Sequence, residues 1–578
     1  MASIGALKLC VLLVVCLLKY VGLSEGRYAK EEYSFIKSAS SWGKGDYDYI
    51  IVGGGAAGCA LAATLSEKYN VLLLERGGVP FNNPNVTFKS NFHIGLLDKT
   101  VCHNFISTDG VINGRAKILG GGTSINAGFY TRANPEFIRK LESRGWDTKL
   151  MNESYLWIEK QLVHWPKFSG WQRAVKDALL DAGVSPFNGF TYEHLYGTKV
   201  GGTTYDSSGR RHSAAELLAS ANPSKLTVLT HATVQKIVFD TTGKAPKAKG
   251  VIFKDENGKQ HEAFLGTYSQ SEVIVSSGAI GSPQLLMISG IGPKSDLQKL
   301  NIPVVLDNQF VGKGMADSPM NTILIPFKRP VEQSLIEVAG ITKFGVYIEA
   351  TSGYGQTRDS IHYRHGTSSA EEEQPSTTPP KQRPGEGVEP IVNSNKDVPY
   401  EEFMGGFILS KVAYPMSTGE LRLVNTNVED NPTVTFNYLR HPDDLKRCVD
   451  GVRLVIKVGQ SEHITNYTSS ERQNADKMLE LGLKANINFI PKQPNNTKSL
   501  EQYCRDSVTT IWHYYGGCRV EQVVNSEHKV LGVDGLRIVD GSTFTESPGT
   551  NPQATVMMMG RYTALKILQN RLGNKAGI

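Results

Sequence analysis

Apart from one run near its N-terminus, the chain has no long hydrophobic stretch, no excess of charge of one sign and little cysteine. After residue 24 no segment is long and apolar enough for a transmembrane helix, so a stable membrane span is not expected. The 62 lysines and arginines and 56 acids are spread along the chain, and the net charge of +6 forms no basic stripe. Nucleic acid is therefore excluded as a partner, and the charges read as an ordinary solvated surface. At 578 residues, with 40% hydrophobic and 20% charged content, the chain has core-forming material for two or more globular domains.

The exceptional run lies at the start. Lys8 precedes the apolar segment Leu9 to Leu18, and small or polar residues follow around Gly22, Ser24 and Gly26. Residues 1–24 thus read as a secretory signal, with a retained signal anchor as the alternative. The expected location is extracellular, in the cell wall. Passage through the secretory pathway gives meaning to sequons at Asn85, Asn152, Asn466 and Asn495, each a glycan acceptor if exposed. Of seven cysteines, Cys10 and Cys16 leave with the signal. The odd remainder means at least one thiol is unpaired. Cys59 lies in a glycine turn and is expected to pack as a small buried residue. Cys448 and Cys504 are the favoured disulfide, because both sit in amphipathic, helix-like runs of the distal half.

Glycine, by contrast, is abundant, and three glycines carry the first motif. Tyr47 to Val52 reads as a strand, Gly53, Gly55 and Gly58 as a turn, Ala60 to Glu67 as a helix, and Val71 to Leu74 as a second strand closed by Glu75. Gly53 permits the tight turn, Gly55 lets backbone approach a pyrophosphate, and Gly58 lets helix pack on strand. The helix N-terminus offers N–H groups to phosphates, and Glu75 is placed to accept from a ribose hydroxyl. Strand, helix and terminal acid in the right order favour a dinucleotide site over a coincidental glycine turn. The motif alone does not name the dinucleotide.

Residues 25 to 45 are polar and read as an arm lying over the surface. Arg76-Gly77-Gly78-Val79-Pro80 then breaks the alternation of strand and helix and begins a long insertion. The insertion leads to Arg115-Ala-Lys-Ile-Leu119-Gly120-Gly121-Gly122-Thr123-Ser124-Ile125-Asn126-Ala-Gly128. Three glycines and two hydroxyls make a nest of N–H groups for an anion or ring edge; taken alone, the stretch reads more readily as a flexible surface loop. A second glycine-rich stretch runs Gly278-Ala-Ile-Gly-Ser282-Pro283-Gln284-Leu-Leu-Met-Ile-Ser289-Gly290-Ile291-Gly292.

These two stretches resemble the two signatures of the glucose-methanol-choline (GMC) oxidoreductases, FAD-dependent enzymes, and the likeness covers nearly all the chain after the signal. Leu74 to Pro80, Asn126 to Tyr130 and Trp512-His513-Tyr514 are most similar to the plant branch holding HOTHEAD-like proteins and flavin-containing mandelonitrile lyases. The resemblance implies an α/β fold: a discontinuous, Rossmann-like FAD-binding domain with a second, α+β substrate domain built on an antiparallel sheet. The expected partition gives the FAD domain residues 46–134, 206–316 and 505–578. The substrate domain takes a helical part, 135–205, and a sheet part, 317–504.

Local patterns agree. Glu272 to Ser276 reads as a late strand of the dinucleotide sheet, followed by a helix from Ser282, with Ser282 as N-cap and Pro283 at the first helical position. Leu226 to Leu229 and Val234 to Phe239 are β-rich, and by resemblance the Val234 backbone contacts adenine. Pro135 to Ala182 has spacing for three short helices. From Asn321 onward the period changes to two, in Thr322 to Phe327, Phe344 to Ile348, Phe403 to Leu409, Glu420 to Val424 and Thr433 to Tyr438, which predicts the antiparallel sheet. Thr367 to Asn395 is too polar and Pro-rich to fold alone and reads as a lid or a disordered surface loop.

His513 follows an amphipathic segment, Leu500 to Ile511, and precedes Gly516-Gly517, where the chain turns. On its own it reads as a structural histidine; by resemblance it is the base facing the flavin. Asn551, in Gly549-Thr550-Asn551-Pro552-Gln553, matches the family's second catalytic position, which holds histidine or asparagine. Asparagine carries no proton at neutral pH but holds a substrate oxygen by hydrogen bonds. The mandelonitrile lyases carry histidine there, so Asn551 points away from lyase chemistry. Tyr515 stands where close plant relatives commonly have another histidine.

The remaining cofactor contacts implied by resemblance are Arg76, Gly120, Gly121, Thr123, Asn126, Trp512, Asp540, Gly541 and Gln553. The last three flank a strand, Leu536 to Val539, and a final helix, Thr555 to Leu572. Ile125 occupies the position where some members link FAD covalently through histidine, so FAD is expected to be noncovalent. The resulting expectation is a secreted, monomeric FAD-dependent oxidoreductase acting on CH–OH groups of a small-molecule alcohol, with an unassigned electron acceptor. By resemblance its substrate is a long-chain ω-hydroxy fatty acid. A hydroxynitrile lyase with structural FAD and a non-catalytic flavoprotein are the alternatives.

Overall fold

The opening βαβ unit forms the centre of a six-stranded, all-parallel sheet in the computed structural model, which describes residues 33–268, 270–327, 331–353, 405–467, 474–486, 488–490 and 499–573. The signal segment, the 367–395 stretch and Asn495 lie outside the described residues. The sheet order is Ile36–Ser38, Leu226–Thr230, Val71–Leu74, Tyr49–Val52, Glu272–Val275, Leu536–Ile538. The three central strands are almost wholly buried and apolar, as parallel strands covered on both faces must be. On one face lie the helices Ala56–Leu65 and Gln553–Leu572, which touch so closely that a Cβ on Gly560 would sit 2.5 Å from Ala57 O. The other face carries the helix Gly278–Ile288 and a three-stranded antiparallel layer, Thr233–Asp240, Lys247–Lys254 and Gln260–Phe264.

Tertiary contacts move several boundaries. The segment expected to lie as a surface arm instead supplies the edge strand Ile36–Ser38, held because Phe35 and Ala39 are buried beside it. The first helix starts at Ala56, directly after Gly55, and not at Ala60. The helix expected from Ser282 starts at Gly278, whose N–H is taken by Asp540 Oδ2 from 262 residues away. Ser282 and Pro283 are therefore interior to that helix, and the Ser282 hydroxyl donates to the same carboxylate.

The second sheet has seven strands in the order Thr509–Thr510, Pro319–Ile325, Gly406–Val412, Val346–Ser352, Val338–Ile341, Gly197–Val200, Phe187–Phe190, antiparallel except for the last pair. Two of the runs expected in it, around Glu420 and Thr433, belong elsewhere: Gly419–Arg422 and Thr433–Val434 join Lys313–Met315 in a small separate sheet. Leu421, Val434 and Phe436 bury their side chains in the apolar cluster of the cofactor domain, which draws them there. The Pro135 to Ala182 region does form three helices, Pro135–Ser143, Thr148–Leu162 and Gly170–Asp181. The first two share the apolar core of the parallel sheet and only the third packs beneath the seven-stranded one.

Cys448 and Cys504 are disulfide-bonded, tying the helix Pro442–Gly459 to the helix Leu500–Ser507. Cys59, Cys102 and Cys518 are buried free thiols. The bridge closes a loop of 56 residues just upstream of His513. Replacing both cysteines with serine should destabilise the protein by up to about 4 kcal/mol in the chain-entropy model, read by calorimetry as a fall in Tm of several degrees. An unchanged Tm would mean that the distal half does not depend on this link.

Candidate active site

Backbone proximity builds the first half of the site. Gly53 has φ +102°, and a Cβ there would lie 2.5 Å from Ser276 O, so both conformation and space demand glycine. A Cβ on Gly58 would lie 1.9 Å from Gly53 O, which fixes the close helix–strand approach. Gly55 differs: the nearest atom to a Cβ there is Gly121 Cα, 3.9 Å away. The second glycine loop lies against the first, because Gly120 N–H donates to Gly54 O at 2.7 Å. Added Cβ atoms at Gly122, Gly278 and Gly541 would likewise meet nothing within 4 Å. The loops carrying these open positions touch in series, through Gly53 and Ser276, Gly278 and Asp540, and Gly541 and Gly516. These loops therefore contact one another in succession.

Helix termini add polarity to those loops. Asn134, Asp147, Ser169 and Ser499 cap other helices with side-chain oxygens, whereas the helices that begin after Gly55 and Pro552 have no side-chain cap. Their first-turn N–H groups stay available to an anion or ring oxygen. Glu75 is buried, and its two oxygens accept from the N–H groups of Gly54 and Gly77, at 2.9 and 2.8 Å. Burial raises its carboxyl above the usual range, and these N–H groups oppose that shift.

The other expected cofactor residues are drawn together from distant positions. Asn126 Nδ2 donates to Gln553 Oε1 at 2.9 Å across 427 residues, and Gln553 Nε2 donates to Phe129 O. Thr123 Oγ1 donates to Gly120 O and accepts from Ala214 N–H. Arg76 donates to Ala116 O. Asp540 accepts from Gly278 N–H, Ser282 and Ser542 N–H. Val234 lies two residues beyond Ala232, whose N–H donates to Glu75 O. Trp512 is 44% exposed with φ +58°, the strained residue immediately before His513.

His513 is held through its backbone. Its N–H donates to Asp317 Oδ1 at 3.0 Å, while Asp317 Oδ2 accepts from Thr510 and Tyr438, each at 2.6 Å. Burial pushes the Asp317 carboxyl up to about 6 against those three hydrogen bonds. The ring nitrogen Nδ1 of His513 is enclosed without a partner among the described residues, which leaves Nε2 as the accessible nitrogen. Burial, followed by the positive charge of Lys411, holds the imidazole well below its ordinary range. Asn551 meets the same lysine: Lys411 Nζ donates to Asn551 Oδ1 at 2.9 Å. Asp317, Lys411 and Glu349, the carboxylate 3.4 Å from Lys411, were not singled out by sequence. The available signal was a lysine inside an apolar strand, but the expected strand ended at Leu409, two residues short of it.

This arrangement of two glycine loops, a C-terminal helix start and a histidine–asparagine pair can be set beside known proteins. The GMC oxidoreductase N-terminal model matches residues 47–320 and the C-terminal model residues 415–560. The chain belongs to the GMC oxidoreductase family. It is 59% identical over 569 residues to Protein HOTHEAD of Arabidopsis thaliana, covering 96% of this chain and 95% of that one. An (R)-mandelonitrile lyase-like protein of the same plant is 43% identical, covering 93% of each chain. A sinalpyl alcohol oxidase of Nesocodon mauritianus is 41% identical over 92% of this chain and 90% of its own. Among solved structures, pyridoxine 4-oxidase from Mesorbium loti matches with a TM-score of 0.70 at 20% identity, covering 90% of this chain and 99% of its own. Formate oxidase of Aspergillus oryzae matches at 0.69 and 19%, covering 92% and 99%. These two show the shared fold.

FAD is the cofactor of this GMC oxidoreductase, and the residues fit it. Open Cβ positions lie on the glycine loops, two uncapped helix starts supply donors, and the enclosed His513 Nδ1 has no partner among the described residues. Gly55 and Gly58 should accordingly respond differently to alanine. Gly55→Ala, whose methyl meets open space in the protein, should keep the apoprotein's Tm while flavin absorbance per chain falls. Gly58→Ala, forced into Gly53 O, should lose both Tm and flavin. Full flavin retention in Gly55→Ala would place the dinucleotide elsewhere.

Proposed function

We propose that this chain oxidises the hydroxyl group of a primary alcohol, with His513 as base and Asn551 holding the substrate oxygen. The observation that carries this reading is the joint environment of the two residues: His513 is kept in its neutral form, and Asn551 is fixed by the lysine whose charge acts on that histidine. FAD, when bound, supplies the two-electron hydride acceptor. His513 takes the hydroxyl proton at Nε2, and Asn551 restrains the oxygen as its charge grows. A positioned base of this kind contributes about 10²- to 10⁴-fold.

The substrate class proposed is a long-chain ω-hydroxy fatty acid oxidised towards a dicarboxylic acid. Its support is the overall likeness to HOTHEAD at 59% identity, while the sinalpyl alcohol oxidase supports alcohol chemistry more broadly. Hydroxynitrile lyase activity is disfavoured by asparagine at position 551, which cannot relay a proton. Ile125, buried and without a nucleophilic atom, supports noncovalent FAD. Secretion is the proposed location, supported by the disulfide, a bond of oxidising compartments. Asn152 and Asn466 are exposed and suit glycan attachment, whereas Asn85 is half-buried with its Nδ2 bonded to Asp98.

Anaerobic addition of ω-hydroxypalmitate and shorter alcohols to the purified yellow protein should bleach the flavin. Cyanide release from mandelonitrile without bleaching would replace this reading with the lyase, and neither response would indicate a non-catalytic flavoprotein. His513→Ala should slow bleaching about 10²- to 10⁴-fold with flavin content unchanged; bleaching as fast as wild type would refute the assigned base.

A further inference from the structure

The seven-stranded sheet buries a cation against the site. Burial pulls the ammonium of Lys411, 2% exposed on the strand Gly406–Val412, below its ordinary range, and it meets three partners that each favour a positive charge, Glu349 most directly opposing that shift. Its Nζ is 2.9 Å from Asn551 Oδ1 and 3.4 Å from Glu349 Oε1, and it lies 4.1 Å from the centroid of the Tyr347 ring. Thr550, adjacent to Asn551, donates to the Tyr347 hydroxyl at 3.3 Å, so the 550–551 segment is tied twice to this cage.

The chemistry of lysine settles which way Asn551 faces. An ammonium group has three donors and no acceptor, so only the carboxamide oxygen can be turned towards it. The Nδ2 group then points the other way, and no acceptor among the described residues takes its protons. Asn551 therefore offers the site a pair of donors. The same positive charge acts on the His513 ring and opposes its protonation.

We propose that Lys411 is a positioning residue for alcohol oxidation: it presents the Asn551 NH2 group to the substrate oxygen as a donor and acts through its positive charge on the His513 base. This rests on the alcohol-oxidase reading. The two residues then have opposite roles at one oxygen. His513 would take the O–H proton, bound FAD would supply the acceptor for the hydride with its electron pair, and the carbonyl oxygen that forms would keep the hydrogen bond from Asn551. An asparagine clamped in this direction has its oxygen engaged by Lys411 and turns its two N–H donors, not its acceptor, towards the substrate. Charged groups near His513 come from three elements: Lys411 acts on the ring, Glu349 pairs with Lys411 and supports its charge, and Asp317, bonded to Tyr438 and Thr510, holds the backbone N–H.

The test is anaerobic stopped-flow reduction of the holoprotein, across the acid-to-neutral range, with the alcohol that bleaches wild type fastest. Lys411→Met should lower the limiting rate about 10²-fold while changing the alcohol's Kd much less. Its acid limb should move up by about one pH unit, because removing a positive charge lets His513 protonate earlier. Lys411→Arg, which keeps the charge, should restore the acid limb. Lys411→Gln, uncharged but polar, carries the acid-limb test if Lys411→Met does not fold. A wild-type rate and acid limb in Lys411→Met with normal FAD content, or a wild-type acid limb in Lys411→Gln, would overturn the proposal. If no alcohol bleaches the wild type, the alcohol-oxidase reading fails by itself. The role of Lys411 is then decided by the His513 ring titration in 15N NMR, assigned with His513→Gln, where an unchanged titration in Lys411→Met overturns it.

Discussion

A single backbone hydrogen bond, from Gly120 N–H to Gly54 O, presses the second glycine loop onto the dinucleotide turn. The arrangement of the glycine loops depends on that contact. A side chain on Gly121 would strike Gly55 Cα, and one on Gly58 would strike Gly53 O, so the glycines remove bulk where two backbones meet. Where a Cβ would meet only one backbone atom at ordinary contact distance, at Gly55, or nothing, at Gly122, Gly278 and Gly541, the space left is shaped by backbone alone. Backbone N–H groups survive any substitution except by proline, which makes them a durable surface for an anionic cofactor.

The other half of the site is built from buried polar side chains, and it obeys a different physics. Asp317 and Lys411 are each 2% exposed, and isolated charges so placed would be strongly destabilising. Each is compensated by several partners: Asp317 by two hydroxyls and a backbone N–H, Lys411 by a carboxylate, an aromatic face and an amide oxygen. Such networks are rigid because any displaced member leaves another unpaired in a low-dielectric interior. Rigidity is what an oxidation at a single carbon requires of the groups around it.

The sequence made the cofactor half legible and the polar half only partly so. Gly53, Gly55, Gly58 and Glu75 were readable because their chemistry is local: a turn, a close approach and a strand end within about thirty residues. The signature around Gly120 gained meaning only from family resemblance, since three glycines alone suit any loop. Boundaries failed where a distant residue sets them, as when Asp540 captures the Gly278 N–H and starts a helix four residues before its local N-cap signal at Ser282. The edge strand Ile36–Ser38 was hidden in a polar stretch because its partner residues, Val228 to Thr230, are 192 positions further along the chain (228 − 36). Lys411 and Glu349 were missed for the same reason: in one strand a lone lysine carries no sign that its counter-charge sits on the next.

The central claim is that the glycine loops and the His513–Asn551 pair serve one cofactor. A crystal structure of the purified yellow holoprotein tests it most directly. The account predicts FAD with its pyrophosphate over Gly55, no covalent bond at Ile125, and its ring between the start of the helix Gln553–Leu572 and the His513 imidazole. A flavin ring lying away from His513 and Asn551, with the imidazole sealed off from it by protein, would contradict the account.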